Sequence, residues 1–94
     1  MNVKRNYPEE KLMKNTKTID SIATKKNIRR LLNERSLTPR DIQESLGYQS
    51  VQTIYKWLNT DIKTLPSLDN IFRLSGLLGC TIDDILVTTE KETE

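Results

Sequence analysis

Residues 37–59 read LTPRDIQESLGYQSVQTIYKWLN, and their pattern predicts two short helices joined by a turn. Thr38 is a good helix-capping residue and Pro39 suits the first helical position. Asp41 stands where a carboxylate can bond back to the amide of the cap. Gly47 can adopt the left-handed backbone conformation without steric cost, so the first helix should end there.

The second helix of this pair is predicted over about residues 50–59, with Ser50 as its cap. Val51, Ile54 and Trp57 recur at helical spacing and should point inward, Trp57 as a core residue rather than a stacking platform. The opposite face is polar and carries Gln52, Thr53, Tyr55, Lys56 and Asn59. A helix seated in this way presents its other face outward, and the DNA major groove is wide enough to admit such a helix. The pair therefore indicates a helix-turn-helix.

The outward side chains have the chemistry that DNA contacts need. Gln52 can pair in bidentate fashion with adenine, and Lys56 can donate to O6 and N7 of guanine. Arg40 and Lys63 are the predicted phosphate contacts. Tyr55 is either a solvent-exposed edge or a DNA contact. The predicted DNA-binding set is Arg40, Gln49, Ser50, Gln52, Thr53, Tyr55, Lys56 and Lys63.

Three further helices are predicted around this pair. The first begins at a cap on Asp20 and ends near residues 35–36, the second runs from Ser67 to Gly79, and the short third begins at Thr81. On the first helix Lys25, Lys26, Arg29 and Arg30 are assigned to the polar face, as a solvated surface or as DNA contacts. No segment alternates with a period of two, so we expect an all-α, compact five-helix domain.

The chain is predicted to consist of a flexible basic arm over residues 1–17, a helical domain over residues 18–87 and an acidic tail over residues 88–94. Residues 1–40 hold eleven Lys or Arg and four Asp or Glu, whereas residues 41–94 hold four and nine, so the parts carry +7 and −5. This asymmetry is typical either of a basic face for a polyanion or of an unevenly charged solvated surface. The basic arm is either disordered or lies along a DNA groove.

Composition argues against catalysis. The 94 residues include no His and a single Cys, and no Gly-rich phosphate loop is present, so we expect no enzyme activity, no cofactor and no metal site. Cys80 is either a small buried hydrophobe or a reactive or metal-binding thiol, and the lack of partner ligands favours the first. No apolar run approaches the roughly 20 residues of a membrane span, and a cytoplasmic location is expected.

The chain resembles the Cro/cI-type (xenobiotic-response-element) helix-turn-helix family over about residues 20–87. The resemblance depends on the motifs Ile28-x-x-Leu31, Leu37-Thr38, Ile42, Leu46-Gly47, Ile54-Tyr55-Lys56-Trp57, Leu65-Pro66-Ser67-Leu68 and Leu77-Leu78-Gly79-Cys80-Thr81-Ile82-Asp83-Asp84-Ile85-Leu86. Two departures are Gln43, where the family often has Ala, and a turn before the third helix that is about one residue longer than the commonest form.

The resemblance implies a lambda-repressor-like domain whose third helix reads double-stranded operator DNA. It also implies a bacterial or phage transcription regulator, in most cases a repressor, acting as a homodimer. The alternative is a protein-interaction module on the same fold, such as an antitoxin that neutralises a protein partner and regulates its own operon.

Overall fold

The computed structural model describes residues 15–92, and within this range the chain forms five helices and two short strands. The elements are β1 (Asn15–Ile19), α1 (Ser21–Glu34), α2 (Pro39–Leu46), α3 (Gln52–Leu58), α4 (Leu68–Leu78), α5 (Ile82–Ile85) and β2 (Thr88–Glu92). The all-α, five-helix prediction is confirmed, with a small two-stranded sheet added to it.

Four of the helices begin at the predicted caps. The Asp20 side chain accepts from the amide of Ala23 at 2.9 Å, and the Ser67 hydroxyl accepts from the amide of Asn70 at 3.1 Å. Thr38 and Thr81 each form a reciprocal capping box with the aspartate three residues later. These side chains satisfy amides that would otherwise lack partners at a helix start.

The two predicted glycine stops are also confirmed. Gly47 follows α2 with φ of 78°, and Gly79 follows α4 with φ of 69°. Both lie in the left-handed region, where a side chain would strain the backbone.

The start of α3 differs from its prediction. The capping position is Val51, which offers no side-chain hydrogen bond, and the helix begins at Gln52. Ser50 still contributes, because its Oγ accepts from the amide of Gln52 at 3.1 Å. The hydroxyl therefore bonds the first amide of α3 from one residue before the capping position.

The core lies between the helices, and every helix contributes to it. Its buried apolar side chains are Ile28, Leu31, Leu32, Ile42, Leu46, Ile54, Trp57, Leu58, Ile71, Leu74, Leu78 and Ile85. Burying each of the larger of these side chains stabilises the fold by about 1.5–3 kcal/mol. No helix in residues 15–92 is long and apolar enough to cross a membrane.

A strand pair that the sequence pattern did not predict joins the two ends of the described chain. β1 and β2 are antiparallel, with Asn15 opposite Glu92 at the outer end and Ile19 opposite Thr88 next to the helices. Residues 15–17 of the predicted arm and 88–92 of the predicted tail thus belong to strands. The described side chains of both strands are exposed. Neither face is buried, so the strands lack the alternation of apolar and polar residues by which a strand is recognised in a sequence. Residues 1–14 and 93–94, the remainder of the predicted arm and tail, lie outside the described residues.

The strand pair is attached to α1 through Val87. The buried Thr24 hydroxyl accepts from the Val87 amide at 2.9 Å and donates to the Val87 carbonyl at 3.3 Å. The same carbonyl accepts from the Asp20 amide at 2.8 Å. The chain therefore leaves the helical body beside the point at which it entered.

Candidate nucleic-acid interface

Helix α3 is seated on the core by one side and open on the other. Ile54, Trp57 and Leu58 are buried, at 1%, 6% and 6% exposure, whereas Val51, a predicted anchor, is half-buried. The polar face of α3, defined as Gln52, Thr53, Tyr55 and Lys56, is not covered by the described part of the protein. Three of its members are exposed and Thr53 is half-buried. The geometry therefore leaves this face available to a groove of nucleic acid.

Two clefts flank the polar face of α3. Thr53 and Lys56 line the first together with Ile62, Leu65 and Ser67 of the segment that follows the helix. Tyr55, which is 51% exposed, borders the second with Pro39 and residues of α1. The helix therefore forms a ridge between two depressions, and Tyr55 lies on the opposite side of it from Thr53.

The remaining predicted site residues lie around this ridge without contacting one another in the hydrogen bonds that the structure describes. Gln49 and Ser50 are exposed in the turn before α3. Arg40 is exposed in the first turn of α2. Lys63 is exposed between Ile62 and Thr64, two residues that line the first cleft. Arg40 and Lys63 thus lie outside α3, on the elements before and after it.

Tyr48 holds the turn between α2 and α3 in place. Its ring packs edge-on against Trp57, with 5.7 Å between centroids and planes at 83°, and its hydroxyl donates to Asn70 of α4. The Arg73 guanidinium lies 5.7 Å from the centre of the same ring. Gln43 donates through Nε2 to the Tyr48 carbonyl at 2.6 Å. This hydrogen bond therefore helps to fix the turn.

Lys25 is not on the solvated face of α1, and that prediction is wrong. The side chain is fully buried, and Nζ donates to the carbonyls of Lys56 at 2.8 Å and Asn59 at 3.1 Å. Burial lowers the pKa of Lys25, because desolvation disfavours the ammonium form. Lys25 precedes Ile28 by three residues and Leu32 by seven, so it occupies the buried stripe of its own helix. That spacing was the signal in the sequence.

Arg29 supports the same helix end. Its Nη2 donates to the Leu58 carbonyl at 3.0 Å, although the side chain as a whole is exposed. Cations at a helix C-terminus interact favourably with the macrodipole and satisfy carbonyls that have no partner within the helix. Lys25, from inside the protein, and Arg29, from its surface, therefore both fix the C-terminal end of α3, and sequence reasoning missed both roles.

Two aspartates at helix starts and one cysteine beside the core have pKa values that their surroundings shift. Hydrogen bonds from the backbone and the side chain of Thr38 lower the pKa of Asp41, and those of Thr81 lower the pKa of Asp84. Burial raises the pKa of the Cys80 thiol, with the charge of Arg35 opposing that shift. Cys80 is half-buried and packs against the core, as a small hydrophobic residue does.

Comparison with known proteins places this arrangement in a family. The family model for the helix-turn-helix matches residues 28–85, which is more than half of the chain and includes all five helices except the first turns of α1. The chain belongs to the Cro/cI-type helix-turn-helix family. No curated protein and no solved structure matches it.

The Cro/cI-type family is a DNA-binding domain of transcription regulators, and the chain is a DNA-binding regulator of this type. In this domain α2 and α3 are the helix-turn-helix pair, and the segment from Gly47 to Val51 is the turn between them. The match gives the class of ligand, which is DNA.

Proposed function

We propose that the chain is a transcriptional regulator, and in most settings a repressor, that occupies an operator as a homodimer with α3 in the major groove of each half-site. The observation that carries this proposal is the seating of α3. Three buried side chains hold its inner side, Lys25 and Arg29 hold its C-terminal end, and its polar face is open. Because the element is fixed before DNA binds, little ordering cost opposes groove insertion.

Each proposed contact follows from side-chain chemistry and position. Gln52 and Lys56 are four residues apart on one face, and they are assigned to adenine and guanine edges. Thr53 and Tyr55 flank them, Tyr55 for a thymine methyl or a phosphate. Gln49 and Ser50, in the turn, meet a base or phosphate at the start of α3. The base-edge contacts set sequence preference in this scheme.

The phosphate contacts are assigned to Arg40 and Lys63. Both are exposed cations on segments next to α3, one before it and one after it. Contacts to phosphate fix register and orientation and carry no base information. Their loss should therefore weaken binding to every sequence by a similar factor.

Selection of bound duplexes from a random DNA pool tests the function. We expect enrichment of a two-fold symmetric site with half-sites about one helical turn apart. A pool that shows no enrichment after repeated rounds at low salt would contradict the proposal. Enrichment of a single unrepeated half-site would support sequence-specific DNA binding but contradict binding as a two-fold homodimer.

The residue assignments are tested on the selected DNA with Lys56→Ala and Lys63→Ala. Lys56→Ala should relax the preference at one base position by about 1–3 kcal/mol. Lys63→Ala should weaken binding to all sequences and reduce the magnitude of the slope of log K against log salt by about 0.9. Lys26→Ala, an exposed cation on α1, is the matched control. If Lys56→Ala and Lys63→Ala both behave like this control on every duplex, the assignment is wrong.

A further inference from the structure

The outer face of α4 carries an apolar stripe that no other described residue covers. Leu68 is 73% exposed and Phe72 is 64% exposed, the largest values among the exposed large hydrophobic residues. They are four residues apart, so they lie on one face of the helix, and Gly76 is the next residue in the same row. The inner face of α4 is separately buried in the core. We call Leu68, Phe72 and Gly76 the α4 stripe.

Gly76 is not required by the fold of the described chain. It lies inside an α-helix, where glycine is a poor helix former, and its backbone is not in the left-handed conformation that would favour glycine. A Cβ built on Gly76 meets nothing within 4 Å. A helical glycine with open space beside it is accounted for when another chain approaches the helix closely at that point.

We propose that the α4 stripe is the surface through which two copies of this chain associate. The two α4 helices would pack antiparallel about a two-fold axis that passes between the Phe72 side chains. In that pairing the residue four positions before Phe72 faces the residue four positions after it. Each Leu68 therefore packs over the Gly76 of the second copy, and a large side chain meets the one position in the row that has no side chain. This inference rests on the proposed function, because the two copies that it joins are the homodimer proposed there.

Charge on the stripe's border favours a second copy over an unlike partner. Asp69 and Arg73 are both exposed residues of α4 next to the stripe, and their charges have opposite signs. Antiparallel pairing about Phe72 brings Asp69 of one copy within about one helical turn of Arg73 of the other. Arg73 uses Nη2 for the Leu46 carbonyl, and a guanidinium has five N–H donors in all. The same patch is therefore complementary to itself in shape and in charge, as a two-fold interface requires.

The position of the stripe suits two copies on one duplex. Ser67, the residue before Leu68, lines the same cleft as Thr53 and Lys56 of the polar face of α3. A two-fold axis through the α4 stripe therefore places the two α3 helices on the same side of the dimer and near one another. A single row of side chains buries less than the roughly 800 Å² per partner of a standard interface. The dimer should consequently be weak when free and reinforced on DNA with two half-sites.

Sedimentation equilibrium of the full chain over a wide concentration range tests the free dimer. Phe72→Gln should weaken dimerisation by about tenfold or more, because a central aromatic anchor is removed without a change in charge. Ile19→Thr removes a different exposed apolar side chain and is the matched control, expected to dimerise as the parent does.

Gly76→Ala separates the proposed contact from any effect on folding. In an isolated copy the added methyl group has open space, so the melting temperature at low concentration should rise. The same methyl group should weaken dimerisation, because it occupies the space assigned to Leu68 of the second copy. In a Leu68→Ala background Gly76→Ala should weaken dimerisation much less than it does alone. If Gly76→Ala and Phe72→Gln both dimerise like the parent, the dimer uses another surface and the proposal is overturned.

Two duplexes, carrying one or two of the selected half-sites, distinguish failure of this inference from failure of the proposed function. Phe72→Gln should bind one half-site like the parent and lose cooperative binding to two. A parent chain that dimerises through the stripe but binds no DNA would refute the proposed function and leave the stripe intact. A parent chain that stays monomeric and binds two half-sites without cooperativity would overturn the stripe, as would an unlike protein occupying it.

Discussion

At the scale of a single residue, Lys25 links the core to the candidate interface. Its ammonium group is fully buried and donates to two carbonyls at the end of α3. Methionine has a similar shape but no donor, so Lys25→Met leaves both carbonyls without this partner. We expect it to lower the free energy of unfolding by about 1–3 kcal/mol. Urea denaturation followed by circular dichroism measures this difference.

The control for Lys25 is the next residue along the helix. Lys26 is exposed, and Lys26→Met should change the unfolding free energy by no more than about 0.5 kcal/mol. Equal stability of the Lys25→Met and Lys26→Met variants would show that the buried ammonium group does not stabilise the end of α3. The comparison is informative because the two substitutions are chemically identical.

Residues also mark where sequence reasoning stopped. The seating of Ile54 and Trp57 was predictable, since their helical spacing is a local property of the chain. The spacing of Lys25 also places it on the buried stripe of α1, but its carbonyl partners were not predictable, because another element supplies them. The bond from Gln43 to the Tyr48 carbonyl was not predictable either, because it depends on how the chain turns after α2. Lys25 bonds to residues 31 and 34 positions away, and only the packing of α1 against α3 brings them together. Of the candidate site, the helix and its polar face were predictable from sequence, and its supports were not.

At the scale of an element, the capping boxes of α2 and α5 make stability depend on pH. Hydrogen bonds lower the pKa of Asp41 and of Asp84 in the folded protein. The unfolded chain therefore takes up these two protons first as pH falls. The stabilisation is present above the ordinary pKa of aspartate and is lost as pH falls through the lowered folded values. We expect the parent to lose stability steadily between about pH 5 and about pH 2.

The double variant Asp41→Asn/Asp84→Asn tests this dependence. Asparagine keeps an acceptor for the cap amide but does not titrate, so the acid loss of stability should be shallower than in the parent. Asp83→Asn alters an exposed carboxylate outside the boxes and serves as the control. Urea unfolding at a series of pH values provides the curves. Parallel curves for the parent and the double variant would contradict the assignment.

Some elements of the fold could be predicted from the sequence, and others could not. Helix ends at Asp20, Thr38, Gly47, Ser67, Gly79 and Thr81 were predicted because capping is a short-range interaction. β1 and β2 were missed because they pair with each other from opposite ends of the chain. Their described side chains are exposed on both faces, so no apolar alternation marks them.

At the scale of the whole molecule, the strand pair should be separable from the helical body. A two-stranded ribbon exposed on both faces is marginally stable alone. We expect a chain truncated after Val87 to keep its helices, because Val87 retains its bonds to Thr24 and Asp20. Its melting temperature should fall by less than about 8 °C, the shift that roughly 1 kcal/mol produces in a domain of this size.

Thr24→Val in the full chain is the comparison for this truncation. It keeps the ribbon residues but removes the hydroxyl that both donates to and accepts from Val87, in a buried position. It should therefore lower the melting temperature more than the truncation does. A truncated chain that unfolds entirely would show that β1 and β2 belong to the cooperative unit.

The pairing of Asn15 with Glu92 also determines how the domain would respond to mechanical force. These two residues form the outermost pair of the ribbon, whereas Ile19 and Thr88 form the innermost. Tension applied through the two chain ends would open the ribbon like a zipper, one pair after another, and would not slide the strands past each other. The load would then reach the helical body at Asp20 and Val87, which are hydrogen-bonded to each other and lie on the same side of that body. In an optical trap the ribbon should open first, at low force, as a small extension that precedes rupture of the helices.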